Sequence, residues 1–474
     1  MCISLGRQSL ISAAWLLLLL LLLSTAAVQG QPVKIVASDG GLEDYFGSAV
    51  AIEGDLAVVG CPYDDDGGEN SGAAYVYVRE DGVWTQRAKL TATPPAGGEL
   101  FGCSVALSGE RVIVGAEGND DAGEDSGAAY IFARQAETFV QEARLLPPQS
   151  GPDQRFGHAV AIWQDVAMVG LAIDPEKDPY TGSAYVYHFA EGAWAFEATL
   201  APESTKRPLP LDVSLALNGD VALLGEPYAF EDGRASGVVY VFRHYGGLWQ
   251  QETTLKPAEG RVLGQFGSSV AVDQDTIVVG ARGSQLRHPD SPVRGAVYVF
   301  EYDGTAWVER QQLALEQYVT SFGQSVAVRG TTILVGAPDS GALVSHGGAV
   351  YVYRRDETQW IFAETLLPPA ASRWDQFGSP LAFDGQSVIA GMIRDDQVAV
   401  NAGAAYILDY GAPRTCAGDA NGDGGVDADD LLCVLAHFGQ SANSAADGDL
   451  DGNRRADVSD LTIVLDHLGT VQRR

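Results

Sequence analysis

The stretch FGSAVAI at residues 46–52 decides the fold, because close copies of it recur along the chain at a fixed interval. The copies begin at Phe46, Phe101, Phe156, Leu211, Phe266, Phe322 and Phe377. Successive starts are 55, 55, 55, 55, 56 and 55 residues apart, and the degenerate fourth copy, LDVSLAL, keeps the same phase. A constant interval of this length indicates a repeat protein in which each unit is one supersecondary structure.

Each repeat contains four short runs that are rich in β-branched and aromatic residues. The FG run is followed by an apolar run ending near a glycine, such as LAVVGCP at residues 56–62. A variable loop leads to a third run, such as GAAYVYV at residues 72–78, and Trp84 and Leu90 mark the fourth run. Because Gly, Asp and Pro separate these runs, each repeat is predicted to form four antiparallel strands.

A four-stranded sheet with two apolar faces cannot bury both of them alone, and radial stacking of such sheets solves the problem. The seventh repeat ends at residue 411 without its fourth strand. Ile35 stands eleven positions before Phe46, as Leu90 does before Phe101, so the N-terminal segment is predicted to supply that strand. Residues 31–411 are therefore predicted to form an all-β, seven-bladed propeller with no open sheet edge.

The repeats resemble FG-GAP repeats, the blades of integrin alpha-subunit propellers and of many secreted bacterial proteins. The resemblance covers residues 31–411 and implies that ligands bind on the face formed by the blade-to-blade connections and the loops between strands two and three. Many family members carry a DxDxDG-type calcium loop between strands one and two. This chain has only tight turns there, such as IEGDLAVVG at residues 52–60, so that calcium site is not expected.

Acidic residues are concentrated instead in the loops after the second strand, at residues 64–69, 120–125 and 174–178. Three interpretations stay open for these loops: a solvated soluble surface, a ligand-binding face, or a cation site unrelated to the family's calcium loop. The partner expected on this face is an unidentified protein or glycan.

A second acidic pattern lies in GDANGDGGVDADD at residues 418–430. Calcium takes six or more oxygen ligands, and a twelve-residue loop supplies them from positions 1, 3, 5, 7, 9 and 12, with Gly at position 6. In the first copy the ligand positions are Asp419, Asn421, Asp423, Gly425, Asp427 and Asp430. In the second copy they are Asp449, Asp451, Asn453, Arg455, Asp457 and Asp460. Arg454 replaces the glycine of position 6 in the second copy, so weaker or altered binding is expected there.

An apolar run with helical spacing follows each loop, at residues 431–438 and 461–468. Over residues 412–474 the two copies resemble the duplicated calcium repeats of type I dockerin domains. The resemblance implies a small α-helical domain that is ordered by two Ca²⁺ ions and docks onto a cohesin-like or other envelope partner. Positions 10 and 11 are Ala428 and Asp429, then Val458 and Ser459, which departs from the common Ser-Thr pair and leaves the partner unidentified. An acidic tail without metal is the alternative.

Residues 1–30 are predicted to be a signal peptide, because Arg7 precedes an apolar core that runs from about Leu10 to Leu23 and ends in small residues. An uncleaved anchor is the alternative. With the segment removed, the protein is expected to be secreted, extracellular or at the cell surface, with no membrane span.

The net charge and the cysteines bear on the partners and on the redox compartment. The formal net charge of −32 makes nucleic acid a poor partner, because phosphates are bound largely by Lys and Arg. An oxidising exterior would permit two disulfide bridges, Cys61 with Cys103 and Cys416 with Cys433.

Function is less determined than fold at this point, because the sequence contains no HExxH, GxSxG or glycine-rich phosphate loop. The main prediction is a secreted, non-catalytic binding or adhesion protein. The alternative is an extracellular polysaccharide-degrading enzyme or accessory subunit, and a structural spacer is a third possibility. Two carboxylates converging near the propeller axis would favour an enzyme, whereas exposed aromatic residues on one loop face would favour glycan binding.

Overall fold

The computed structural model describes residues 32–149, 151–172, 182–202, 213–231, 234–257, 264–283, 295–313, 315 and 319–410. The predicted signal peptide, all twelve predicted calcium ligands and the acidic loop at residues 174–178 lie outside these described residues. The regular elements of the described chain are β-strands, and no helix long and apolar enough to cross a membrane is found among the described residues.

The strands form seven four-stranded antiparallel sheets, called blades here and numbered along the chain. The chain opens with β1 (Val33–Ile35), which belongs to the last blade. Blade 1 contains β2 (Ala49–Glu53), β3 (Leu56–Cys61), β4 (Ala73–Glu80) and β5 (Val83–Leu90). Blade 2 contains β6 (Phe101–Ser108), β7 (Arg111–Ala116), β8 (Ala128–Gln135) and β9 (Thr138–Leu145). Blade 3 contains β10 (Ala159–Trp163), β11 (Val166–Leu171), β12 (Ser183–Ala190) and β13 (Ala193–Leu200).

The remaining blades repeat this order. Blade 4 contains β14 (Ser214–Asn218) and β15 (Val221–Glu226), a small hairpin of β16 (Phe230–Glu231) and β17 (Arg234–Ala235), then β18 (Val238–Tyr245) and β19 (Leu248–Leu255). Blade 5 contains β20 (Phe266–Asp273), β21 (Thr276–Ala281), β22 (Ala296–Tyr302) and β23 (Trp307–Leu313). Blade 6 contains β24 (Ser325–Arg329), β25 (Thr332–Ala337), β26 (Ala349–Asp356) and β27 (Gln359–Leu366). Blade 7 contains β28 (Leu381–Phe383), β29 (Ser387–Met392) and β30 (Ala404–Asp409), completed by β1.

The first strands of the blades form a closed ring around a central axis. Each contacts the first strand of the next blade, in the order β2, β6, β10, β14, β20, β24, β28 and back to β2. This arrangement is a seven-bladed propeller, so the predicted all-β propeller is confirmed for the described residues. The predicted α-helical calcium domain falls outside them.

The N-terminal strand occupies the place that the repeat interval predicts. Strand β1 pairs with β30 in antiparallel register, with Ile35 opposite Ala405. Leu90 stands opposite Ala74 in the same way in blade 1. The first and last segments of the propeller therefore close the ring within one sheet. The prediction of no open sheet edge is wrong in one respect, because β1 forms the outer edge of blade 7 as β5 does of blade 1.

The FG motif is a packing device between neighbouring blades. Phe101 is fully buried, and its ring centre lies 5.3 Å from that of Tyr130 on the third strand of the same blade. Gly102 has a φ of +93°, and a Cβ atom built on it would lie 2.2 Å from the carbonyl oxygen of Ala73 in blade 1. Only glycine permits this backbone approach, which explains why Gly follows Phe in the repeat.

The propeller has two different ends. The connections between blades and the loops between second and third strands share one end, called the loop face here, as the hydrogen bond from Phe101 N to Ser71 O shows for blades 1 and 2. The tight turns between first and second strands lie at the other end, called the hairpin face. Each first strand therefore runs from the loop face to the hairpin face beside the axis.

Candidate functional site at the mouth of the propeller channel

Two positions of every repeat adjoin the inner ring on the loop face and are called mouth positions here. One follows the last residue of the second strand, and the other follows the glycine of the FG motif of the next blade. The seven pairs, all described, are Pro62 with Cys103, Glu117 with His158, Ala172 with Val213, Pro227 with Ser268, Arg282 with Gln324, Pro338 with Ser379, and Ile393 with Ser48. Two of these pairs consist of long polar side chains, which makes them exceptions to the repeat.

Glu117 and His158 form a hydrogen-bonded pair between blades 2 and 3. The distance from His158 Nδ1 to Glu117 Oε2 is 2.7 Å, and both side chains are partly exposed. Because an ionised carboxylate only accepts hydrogen bonds, this contact favours a proton on Nδ1 of His158. A carboxylate that orients a histidine in this way is the arrangement of a general base.

Cys103 stands at the neighbouring mouth position, with its Sγ 3.5 Å from the carbonyl oxygen of Gly157. Burial, and after it the negative charge of Glu117, raise the pKa of the Cys103 thiol well above its ordinary value. The thiol is therefore protonated at neutral pH, and a protonated thiol is a poor nucleophile. The chemistry of this part of the mouth rests on the Glu117–His158 pair.

Arg282 occupies the mouth between blades 5 and 6, where side chains of three blades contact its guanidinium. Its Nε donates to Gln265 Oε1 at 2.9 Å, and its Nη1 lies 3.5 Å from Gln324 Oε1. Its Nη2 lies 3.3 Å from the Tyr228 hydroxyl, which comes from blade 4. These contacts to three consecutive blades place a guanidinium group, with its planar set of donors, at the rim.

The Glu117–His158 pair and Arg282 lie on opposite sides of the mouth, because their interfaces are three blades apart in a ring of seven. The other end of the channel shows how close opposite sides come. Arg329 at the end of the first strand of blade 6 reaches Trp163 of blade 3, with its Cζ 5.9 Å from the ring centre. Asp273 of blade 5 holds that guanidinium at 3.0 Å. At that end, side chains from opposite blades thus meet across the axis.

A lysine forms ion pairs with the acidic loop of blade 1. Lys89 Nζ lies 2.9 Å from Asp39, 2.8 Å from Asp64 and 2.6 Å from Asp66, and these four residues are called the Lys89 cluster here. The carboxylate oxygens lie within 4.8 Å of one another, close enough to ligate one cation. Burial opposes ionisation, but hydrogen bonds from Lys89 and Tyr75 outweigh it and lower the pKa of Asp39. The ammonium group thus stands where a metal ion would.

The possible Cys61–Cys103 bridge does not form, and both thiols are free. Cys61 is fully buried inside blade 1 and donates to the carbonyl oxygen of Asp44 at 3.3 Å, whereas Cys103 lies at the channel mouth. The two positions belong to neighbouring repeats in sequence but serve different packing environments. Cys416 and Cys433 are outside the described residues.

The sequence analysis missed the mouth residues because it searched for short catalytic motifs, and these residues belong to none. The signal was nevertheless present in the repeat columns, since His158 is the only histidine at the position after FG and Glu117 replaces the proline of blade 1's GCP. Comparison of repeats position by position would have singled out both residues.

Solved structures of similar fold include two proteins of Bacteroides and one of Pseudomonas. The periplasmic gluconolactonase of Pseudomonas aeruginosa is 17% identical with a TM-score of 0.43, covering 69% of this chain and 86% of its own. A candidate 6-phosphogluconolactonase of Bacteroides fragilis is 13% identical with a TM-score of 0.46, covering 73% and 98%. A candidate 6-phosphogluconolactonase of Bacteroides uniformis is also 13% identical with a TM-score of 0.46, covering 71% and 89%.

The main prediction of a non-catalytic binding or adhesion protein is not upheld: all three neighbours are named as lactonases, that is, as enzymes, which is the alternative that the sequence analysis kept. At such identities and TM-scores the likeness itself concerns the fold alone. The hydrogen-bonded pair of Glu117 and His158 was not foreseen, because it is assembled only when blades 2 and 3 pack together.

No curated protein matches the sequence. The model of the FG-GAP repeat matches residues 30–77, 84–132, 139–187, 249–300 and 319–353. The degenerate fourth copy at Leu211 falls between two matches, and the seventh blade, whose fourth strand comes from the N-terminus, follows the last one. The five matches and the seven blades together show that this chain carries a propeller of FG-GAP repeats.

Proposed function

We propose that the protein is an exported hydrolase that cleaves an ester or lactone bond of a carbohydrate-derived substrate at the mouth of its propeller channel. The observation that supports this most is the Glu117–His158 hydrogen bond of 2.7 Å on one side of the mouth, with Arg282 on the other. The sequence analysis kept an extracellular polysaccharide-degrading enzyme as its alternative, and we now specify the bond that the enzyme would cleave. The signal-like segment at residues 1–30 supports a location outside the cytoplasm.

The mouth residues have complementary tasks in such a reaction. Glu117 keeps the imidazole of His158 in the tautomer whose Nε2 takes a proton from the attacking water. The water oxygen bonds to the carbonyl carbon, and the proton on Nε2 is later passed to the leaving alcohol oxygen. Arg282 stabilises the negative charge that develops on the carbonyl oxygen.

The composition of the mouth favours acyl hydrolysis over cleavage of glycosidic bonds. Glycosidases of the common kind use two carboxyl groups that flank the bond. Glu117 is the only carboxylate among the fourteen mouth positions, all of which are described. The protonated thiol of Cys103 does not suit a covalent mechanism either, so water is the expected nucleophile.

The test is hydrolysis of acetylated oligosaccharides and of aldonolactones, followed by proton release at constant pH. Substitution of the general base, His158→Asn, is expected to lower kcat by about 10²–10⁴-fold. Glu117→Gln and Arg282→Met are expected to lower kcat as well, because each keeps much of the size of its side chain and removes the charge.

His244 of blade 4 provides a matched control, because its Nε2 lies 3.4 Å from Glu197 on the outer strand of blade 3. His244→Asn removes a histidine–glutamate pair of the same kind away from the mouth, so activity should be unchanged. Equal activity of the wild type and of His158→Asn would refute the proposed site, and no hydrolysis of either bond type would refute the function.

We further propose that residues 412–474 bind two Ca²⁺ ions and dock onto a cohesin-like or envelope protein. The support is the spacing of oxygen ligands from Asp419 to Asp430 and from Asp449 to Asp460. Carboxylates this close together repel each other until a cation neutralises them, so metal binding and folding are expected to be coupled.

The docking proposal is tested with the full chain as bait for envelope and secreted proteins of the source cell. The expected result is a captured protein that is lost with a chelator and lost when Asp419 and Asp430 are both changed to Asn. Capture that persists in the double variant with calcium would contradict docking through the first loop.

A further inference from the structure

Two backbone positions with positive φ recur where one blade connects to the next on the loop face. The first lies three residues before the FG phenylalanine, and the second lies in the preceding second-to-third-strand loop. At four connections both are described: Glu43 with Asn401, Gly98 with Asn70, Asp153 with Asp125, and Trp374 with His346. The same pair of backbone hydrogen bonds joins the two segments each time, for example from Trp374 N to Ser345 O and from Gln376 N to His346 O.

One of these eight residues departs most from the preference of the backbone. Glycine, asparagine and aspartate tolerate the left-handed region best and histidine is also enriched there, whereas a bulky aromatic residue is strained. Trp374 nevertheless adopts a φ of +79°. A residue kept against local preference points to a function of its side chain.

The rings of Trp374 and His346 are stacked face to face. Their ring centres lie 3.8 Å apart with an angle of 8° between the planes. Asp339 fixes the imidazole from below, with Oδ1 3.3 Å from His346 Nδ1 and 3.3 Å from Gln376 Nε2. Trp374 is 42% exposed, although its indole is large and apolar. The exposed Arg373 has its Cζ 5.3 Å from the centre of the indole ring.

We infer that Trp374 and His346 form a carbohydrate-binding platform on which one sugar ring stacks. Because His346 covers one face of the exposed indole, the sugar would stack on the other face, and the neighbouring Arg373 offers hydrogen-bond donors for sugar hydroxyls. The site is distinct from the channel mouth and does not depend on the proposed hydrolysis. It would hold a neutral glycan on the same face as the mouth.

The size and charge of the surroundings select this class of ligand. A stable protein interface needs roughly 800 Å² on each partner. The other large apolar side chain exposed in the adjoining loop of blade 6 is Leu343, so the apolar surface fits a single ring better. Stacking of nucleobases is disfavoured by the formal net charge of −32, which repels phosphate.

The experiment measures retardation of the full chain in native gels that contain mixed-linkage β-glucan, glucomannan, arabinoxylan or soluble starch, followed by calorimetry with the matching oligosaccharide. The wild type is expected to be retarded by at least one of these glycans. Trp374→Gly relieves the backbone strain while removing the ring, and it should weaken binding by about tenfold or more. Unfolding in urea checks that the variant keeps its stability.

Glu43→Gly is the matched control, because it makes the same backbone change at the equivalent position between blades 7 and 1. Binding should be unchanged in this variant and also in His158→Asn, which removes the proposed general base. Failure of all four glycans to retard the wild type would overturn the carbohydrate assignment. Retardation that persists in Trp374→Gly would overturn the platform.

Discussion

The Lys89 cluster gives the sharpest prediction about the propeller, because one ammonium group forms ion pairs with three carboxylates. Lys89→Met keeps the length of the side chain and removes the ammonium group. The side chain of Asp64 is only 3% exposed, so its charge stays buried without its cationic partner. Asp39 and Asp66 are 38% and 67% exposed, and their ion pairs are screened by water.

The magnitude follows from these exposures. Removal of one partner of a buried ion pair destabilises a protein by about 3–5 kcal/mol, and an exposed pair contributes about 0–1 kcal/mol. Because Lys89 is itself 20% exposed, we expect a loss near or just below the lower end of that range, about 2–4 kcal/mol in the free energy of unfolding. Urea unfolding of the full chain, followed by tryptophan fluorescence, measures it.

Calcium separates this reasoning from a general loss of packing. Without the ammonium group, the carboxylates of Asp39, Asp64 and Asp66 present oxygens within 4.8 Å of one another and can take up a divalent cation. Calcium should therefore restore part of the stability of Lys89→Met, beyond any effect that it has on the wild type.

The control for the calcium effect is Lys34→Met, at the equivalent position of blade 7. Lys34 contacts one carboxylate, Asp395 at 2.7 Å, and the amide oxygen of Gln397 at 2.6 Å. With a single carboxylate in its contacts, this variant should lose stability without regaining it in calcium. Unaltered stability of Lys89→Met, or equal calcium rescue of both variants, would refute the reasoning.

Three further predictions concern pH, the FG glycine and the closing strand. The lowered pKa of Asp39 contributes stability above its ordinary value of 3.8 that is lost as the pH falls through the folded-state value, so acid unfolding curves of the wild type and Lys89→Met should converge at low pH. Gly102→Ala should destabilise by about 3 kcal/mol or more through the contact with Ala73, whereas Gly109→Ala, with no atom within 4 Å, should lose about 1 kcal/mol; urea unfolding compares them. Ile35→Ala should lower the free energy of unfolding by about 2–5 kcal/mol, because Ile35 is 5% exposed in the strand that closes the ring, and a loss below 1 kcal/mol would show that closure contributes little.

The fold could be predicted from the sequence because each blade repeats the same local pattern. The number of FG motifs in phase gives the number of blades, and the offset from Ile35 to Phe46 identifies the closing strand. These features are local or strictly periodic, so they need no knowledge of how the blades are oriented. The same periodicity misled the interpretation of Cys61 and Cys103, since neighbouring positions in the repeat do not imply neighbouring sulfur atoms.

The candidate site was harder to predict because its parts come together only through packing. Glu117 and His158 are 41 residues apart and belong to different blades, and Arg282 is oriented by side chains of blades 4, 5 and 6. No short motif links such residues. The neutralisation of Asp64 by Lys89 has the same character, since the lysine lies on the outer strand and the aspartate in a loop.

The repeats themselves provide the means of separating structural residues from functional ones. A feature that recurs in phase, such as the phenylalanine and glycine of the FG motif, is explained by the packing that every blade shares. A feature that breaks the phase has no such explanation, and here the breaks fall on the loop face: Glu117 and His158, Arg282 and Gln324, and Trp374 with His346. In the last case the break even opposes the backbone preference. Because seven blades fold alike, each departure has quasi-equivalent positions as internal controls, and substitution of the departing residue by that of another blade tests function with little change in the fold.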